Sequence, residues 1–266
     1  MKDAFALVRT SWQAAKSYRL RLILSLVSLG ATVVPLYFVA GALQPVMAES
    51  IARQGDQYFG FLIVGMVTFL LLPVAVNSLP SEIGSGISTG VLEALLGTPA
   101  KPASIFGGMI GFNLFWTILR ATALLFAGWL LGAQLMWSQI ASAALILGLI
   151  VLAYLPVGMI GAALVICFRT SGPLGQAVLG LSALLGGVYY PTTVIPSWIQ
   201  SLSAWVPLTY GLRALRRSLL EGESFFAVMP DVAFLGAFAV GLSLVGVLSL
   251  SAALNHARRA GNLAQY

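Results

Sequence analysis

This sequence is poor in charge, cysteine, histidine and lysine, and each shortage weighs against a class of function. Only 8% of its 266 residues are charged and 59% are hydrophobic. A soluble domain carries roughly a quarter charged residues, so this chain cannot cover itself with water. The one cysteine, Cys167, excludes an intrachain disulfide. With His256 as the one histidine, the supply falls short of the about four ligands of a structural zinc cage. The lysines are Lys2, Lys16 and Lys101, none of them in a GxxxxGK[ST] setting, so this chain alone has no phosphate-cradling loop with which to bind ATP. A Ser/His hydrolase needs a histidine within reach of its nucleophile, and His256 falls at the end of the last apolar run. Ion-coupled carriers usually bury carboxylates within their spans. Here Asp3, Glu49, Asp56, Glu82, Glu93, Glu221, Glu223 and Asp231 all fall in loops or at segment ends. The net charge of +6 speaks for anionic lipid headgroups rather than nucleic acid, because the basic residues also cluster at segment ends.

What the chain has is long charge-free runs. An ionised side chain at mid-bilayer costs several kcal/mol, so such runs mark membrane spans. The intervals Arg21–Glu49, Asp56–Glu82 and Asp231–Arg258 each hold one helix of about 20 residues. The intervals Arg120–Arg169 and Arg169–Arg213 are too long for one crossing each, and the first divides at Gly132–Gln139. The pattern predicts an all-α polytopic membrane protein with six spans, at 22–43, 58–79, 104–133, 139–168, 172–190 and 231–254. Residues 1–266 read as one domain, with no linker or internal repeat.

Lys2, Arg9, Lys16, Arg19 and Arg21 precede the first span with Asp3 as the one acid. The positive-inside rule therefore puts the N-terminus in the cytoplasm, and six crossings return the C-terminus there. Arg213, Arg216 and Arg217 fall on the outer side and run against that rule. The basic lead and apolar run are too long for the n- and h-regions of a signal peptide, so the first span reads as retained.

Three pieces do not span. In residues 1–21, Phe5, Val8, Trp12 and Ala15 recur at helical spacing opposite Arg9, Lys16 and Arg19. This is the pattern of a helix in the headgroup plane, either a plain anchor or a coupling element. The second is the cytoplasmic loop 80–102. Gly84, Gly86 and Gly90 break its first half, Ser88 or Thr89 caps a short helix with Glu93 in its first turn, and Gly97 and Pro99 stop it. Val91, Leu92, Leu95 and Leu96 form an apolar ridge that rests on lipid or seats in a partner's groove. The third, 187–230, has Pro191, Pro196 and Pro207 where helical pieces start, which predicts short helices at about 197–205 and 208–220. In the second of these, Leu208, Leu212, Leu215 and Leu219 share one face and Arg213, Arg216 and Arg217 the other. Tyr189, Tyr190, Trp198, Trp205 and Tyr210 suit the membrane–water boundary, so this piece reads as an external lid or re-entrant element.

One charge is out of place. Arg120 lies about 20 Å into the third span at 1.5 Å per residue, too deep for easy snorkelling. Asn113 and Thr117 share its helical face. Two readings stand: an arginine satisfied by carbonyls or by a side chain such as Gln176, or one that meets an anionic substrate or lipid headgroup.

The stretch Gly90-Val-Leu-Glu-Ala-Leu-Leu-Gly-Thr-Pro99 resembles one of the two most recognisable patches of the type-2 membrane subunits of ATP-binding-cassette exporters. The segments Gly187-Val-Tyr-Tyr-Pro191, Ile195-Pro-Ser-Trp198 and Pro207-Leu-Thr-Tyr-Gly-Leu-Arg213 resemble the other. Length and span plan agree, so the resemblance covers the whole chain. It implies that the loop at about 88–97 is a coupling helix docking on a separate ATPase subunit, with Glu82, Thr89, Gly90, Leu92, Glu93, Leu95, Leu96, Thr98 and Pro99 as contacts. Gly84 and Gly86 make the approach to that helix looser than in the family. The resemblance further implies an external cap carrying Tyr189, Tyr190, Pro191, Pro196, Trp198, Pro207, Tyr210 and Arg213, and a substrate path holding Asn113, Thr117, Arg120 and Gln176. The implied assembly pairs two copies of the chain, a homodimer, with two ATPase subunits in a bacterial inner or plasma membrane. ATP and Mg would then sit on the partner, and the chain itself would carry no cofactor and no catalytic residue. The apolar walls favour an amphipathic, lipid-like or drug-like cargo, and boundary Trp and Tyr would also stack on a glycan. The alternative classes are an ATPase-independent channel or ion-coupled carrier, and an intramembrane enzyme.

Overall fold

The computed structural model describes residues 19–52, 54–89, 102–168, 170 and 173–260, and every regular element among them is helical. The helices are α1 (Arg19–Ile51), α2 (Tyr58–Ser88), α3 (Pro102–Leu130), α4 (Ile140–Phe168), α5 (Leu174–Leu185), α6 (Ser197–Ser203), α7 (Pro207–Glu221) and α8 (Met229–Ala260). Five of them, α1, α2, α3, α4 and α8, are long and apolar enough to cross a membrane. Helices suit that solvent because each satisfies its own backbone groups where no water can. Pro35 and Pro45 in α1, Pro73 and Pro80 in α2 and Pro156 in α4 interrupt the ladders without ending the helices.

The α2 helix forms the axis of the bundle. Phe61, Val64, Leu72 and Ile83 along it are fully buried, with α1, α3, α4 and α7 packed around the helix and Leu250 of α8 reaching Ile83 near its end. Close approach follows from small residues: a Cβ on Gly158 of α4 would press on the Ala75 carbonyl oxygen, and one on Gly128 of α3 would meet Ile63. By contrast, α1 and α8 leave one side bare, with Phe38, Val46, Val240 and Leu244 all more than half exposed.

Neighbouring contacts fix the direction of each helix. Gly211 of α7 lies between Ile150 of α4 and Leu235 of α8, and Gly246 of α8 lies on Pro156 of α4. Both helices therefore run the same way, and the chain has to come back between them. That return begins with α5, which runs antiparallel to α2. Gly175 touches Asn77, and a Cβ on Gly65 would overlap the Val188 carbonyl. Those twelve residues of α2 measure about 18 Å.

Several boundaries differ from the sequence reading. The predicted span at 172–190 is a helix of 12 residues, about 18 Å long against the ~30 Å of a hydrocarbon core. Gly84 and Gly86 do not break the chain after Pro80: α2 continues to Ser88, because Ile83 is buried against Ala162 and Val165 of α4 and Gly84 lies beside Val165. Thr89, expected to open a helix, ends one. Its N–H and Oγ1 both donate to the Ser85 carbonyl, at 3.0 and 2.8 Å. The amphipathic lead 1–18 and the ridge at 90–101 lie outside the described residues.

Candidate functional site: a helix end buried in the bundle, and two arginines

The last four carbonyls of any helix lack partners within it. Ser182, Ala183 and the turn at 186–188 are buried, where water does not reach. The chain supplies all four. Gly186 N–H donates to Ser182 O at 2.8 Å and Val188 N–H to Ala183 O at 3.4 Å. The Tyr190 hydroxyl donates to Leu184 O at 2.8 Å, and Ser203 Oγ donates to Leu185 O. Ser203 and Thr209 are buried and share a hydrogen bond of 3.1 Å, so the junction of α6 and α7 closes over the end of α5. Nearby, the Tyr154 hydroxyl of α4 donates to Ser182 Oγ at 2.8 Å.

Gly187 has φ +77°, a left-handed conformation in which a side chain would be strained. The turn aims the carbonyls of Gly187 and Val188 at one cation, Arg216 of α7. Arg216 Nη1 donates to Gly187 O at 2.9 Å and to Gln54 Oε1 at 3.4 Å. Its Nη2 donates to Val188 O at 3.0 Å and Phe61 O at 3.3 Å. The guanidinium also lies over the Phe61 ring, 3.3 Å from its centroid, a cation–π contact in a desolvated place. The side chain is 1% exposed. An arginine keeps its proton in proteins, so this is a full charge held by neutral dipoles. Gly65 leaves the gap into which the guanidinium and the Val188 carbonyl fit.

The sequence reading grouped Arg216 with Arg213 and Arg217 on a polar face, and the structure corrects this. Arg213 and Arg217 do face outward, binding Asp231 at 3.3 and 3.5 Å, and Arg217 also binds Glu223 at 2.7 Å. Arg216 sits with the leucines. The signal was in the spacing: Arg216 follows Leu212 by four residues and precedes Leu219 by three, which places it beside that stripe.

The remaining cap residues line the same end of the bundle. The Tyr189 carbonyl accepts from the Tyr58 hydroxyl at 2.7 Å. Pro191 is buried, Pro196 precedes α6, and Pro207 is the first residue of α7. Tyr210 stacks on Phe234 at 5.2 Å, and the Arg213 guanidinium lies 5.6 Å from its ring. Trp198 and Trp205 are 68% and 78% exposed. Sequence reasoning missed the glutamines that fasten this end. Gln44 Oε1 accepts from Tyr58 N–H at 2.7 Å, and Gln57 binds Gly132 O and Gln134 N–H at 3.1 and 3.0 Å. Nothing local in the sequence signals these pairs.

The residues assigned to a path fall in two places. Asn113, Thr117 and Arg120 share one face of α3, and Thr117 Oγ1 donates to the Asn113 carbonyl at 2.8 Å. Gln176 lines a separate cleft of about 330 Å³ with Asn77, Ser81 and Gly175. It makes no hydrogen bond to Arg120, so it is not the partner the sequence reading offered. Arg120 is half-buried, and its Nε is enclosed without a hydrogen-bond partner. Of the coupling residues, Glu82 is half-buried within α2 and Thr89 is exposed at its end. Gly90, Leu92, Glu93, Leu95, Leu96, Thr98 and Pro99 lie outside the described residues.

Among curated proteins, no relative matches the chain. A family model described as ABC-2 type transporter matches residues 3–220, through all the helices up to α7 and the buried cation at its heart, and the chain belongs to that family as a transmembrane transport subunit.

Proposed function

We propose that this chain is one half of an ATP-driven exporter, paired with a second copy of itself and driven by two separate ATPase subunits that carry ATP and Mg. The family match carries the reading, because its bounds, residues 3–220, take in the segment that would dock. The ridge Leu92, Leu95 and Leu96, with Glu82, Thr89, Gly90, Glu93, Thr98 and Pro99 around it, is the docking element. When the ATPase pair closes on ATP, the ridge moves and the spans tilt, because the two access states differ in their contacts with the partner. Six crossings follow once α5 and the turn after it are taken as the return between the parallel helices α4 and α8. Both termini are then cytoplasmic in the cell membrane. Segment 187–230 is the outer cap: α6 descends to Ser203 beside the end of α5, and α7 climbs from there to Leu219, whose carbonyl meets Met136. A re-entrant pair of this kind is tolerated in a bilayer where protein satisfies its backbone, as Arg216 and Ser203 do. Asn113, Thr117, Arg120 and Gln176 border the route of an amphipathic cargo.

Purification in mild detergent tests the coupling. The native chain should retain an ATPase subunit, and Glu93→Arg combined with Leu95→Asp should release it and abolish coupled ATP turnover. An unchanged complex with unchanged turnover would overturn the reading.

A further inference from the structure

We infer that Arg120 binds an anionic oxygen group, a phosphate or carboxylate borne by an amphiphile within the bilayer. The inference deepens the path proposed above. It starts from depth: Arg120 lies eighteen residues from Pro102 and ten from Leu130, or about 27 and 15 Å from the two ends of α3. A helical side chain leans toward the N-terminus of its helix, which carries this guanidinium closer still to the midpoint. A lone cation there is costly in hydrocarbon, and intramembrane charges normally pair.

Among the described residues, Arg120 has no such pairing. Its Nε is enclosed and unpartnered, and no hydrogen bond or ion pair joins its side chain to another described residue. Thr117, one turn away, uses its hydroxyl on the Asn113 carbonyl. A second identical copy brings no acid to this depth from the described residues, because Glu49, Asp56, Glu221, Glu223 and Asp231 lie in loops or within two residues of a helix end and Glu82 lies in the last two turns of α2. Arg216, in the same bundle, also leaves its Nε without a partner, but its two Nη groups reach four oxygens and its plane an aromatic face; the Nη groups of Arg120 have neither. Next to Arg120 on its face of α3, Ala123 and Ala127 are small and half-buried, which leaves room for a group to approach. An anion arriving from outside the chain completes the site. Apolar surroundings require that it come attached to an apolar body.

The test uses the purified full-length chain in neutral detergent, with radiolabelled phosphatidylglycerol or phosphatidylcholine as probe. Salt of about 0.5 M screens the exposed basic residues far more than a half-buried one. The native chain should bind phosphatidylglycerol saturably and roughly tenfold or more tighter than phosphatidylcholine, the ratio one charge-assisted hydrogen bond supplies. Arg120→Gln should erase that preference, while Arg120→Lys, which keeps a point charge, should retain part of it. Absence of any preference in the native chain overturns the inference without recourse to a variant, as does an undiminished preference in folded Arg120→Gln. This arm contains no ATPase, so failure of the coupling proposal leaves it intact. A second arm adds ATP to the assembled complex. Release of the bound label then identifies the anion as cargo, retention through turnover identifies it as a resident lipid, and both outcomes sustain an anion at Arg120.

Discussion

Two arginines of one bundle have met the cost of burial in opposite ways. Arg216 is fully enclosed and spends its Nη donors on three carbonyls and a glutamine, leaving its Nε without a partner. Arg120 is half-enclosed and has none of these partners. The difference lies in what each finds nearby. Where α5 ends inside the bundle, the backbone has surplus acceptors, and a guanidinium with five donors in a rigid fork is well shaped to gather them. On α3 the backbone is continuous helix whose carbonyls are already engaged in its own ladder, the Asn113 and Ile118 carbonyls also accepting from Thr117 and Thr122. A charge beside a broken helix belongs to the fold, whereas a charge beside an unbroken one is free for function.

The comparison breaks first at Arg216. Arg216→Met keeps the volume but orphans the Gly187 and Val188 carbonyls, at about 1–3 kcal/mol each. The folded protein should lose roughly 2–6 kcal/mol, read as thermal unfolding in detergent. Arg216→Lys should fall between, because an ammonium cannot span both carbonyls and Gln54 with fork geometry. A Met variant as stable as the native chain would show that the cage is incidental.

Gly65→Ala should cost less, about 1–3 kcal/mol. The new Cβ would overlap the Val188 carbonyl and lie 2.9 Å from Arg216 Nη2, forcing the turn away from α2. Its loss should be largely absent in an Arg216→Met background, since the two changes strain the same contact. Full additivity would separate glycine from cage. Ser203→Ala should cost roughly 1–2 kcal/mol by unmaking the bond to the Leu185 carbonyl, unless Thr209, 3.5 Å from that oxygen, moves in to replace it.

How much of this was legible before the structure depends on range. The long apolar runs announced α1 to α4 and α8, since hydropathy is a property of each segment. Pro196 and Pro207 announced α6 and α7, because proline's fixed φ suits a helix start. The true length of α5 was hidden: the run after Arg169 contains no charge until Arg213, and what stops the helix at Leu185 is a set of partners drawn from Tyr190, Ser203 and Arg216. The passage of α2 through Gly84 and Gly86 was hidden for a related reason. Each glycine costs about 1 kcal/mol in a helix, but burial of Ile83 in a cluster with Ala162, Val165 and Leu250 outweighs it. At the site, Arg120 stood out as a charge inside an apolar run. Arg216 was concealed among three arginines, although a helical wheel separates it from the other two.

The smallest expected effect on stability is at Arg120, and it is also the sharpest. Arg120→Leu removes a charge that the fold has not paired and adds an apolar side chain to a lipid-level helix. Unfolding should therefore stay within about 1 kcal/mol of the native chain or shift slightly upward, while transport by the assembled complex should fall. If stability instead drops as far as in Arg216→Met, Arg120 is held by contacts that the isolated chain does not display, and the contrast between a structural and an available arginine fails. If stability holds and transport falls, a cation that does nothing for the fold is retained for what passes it.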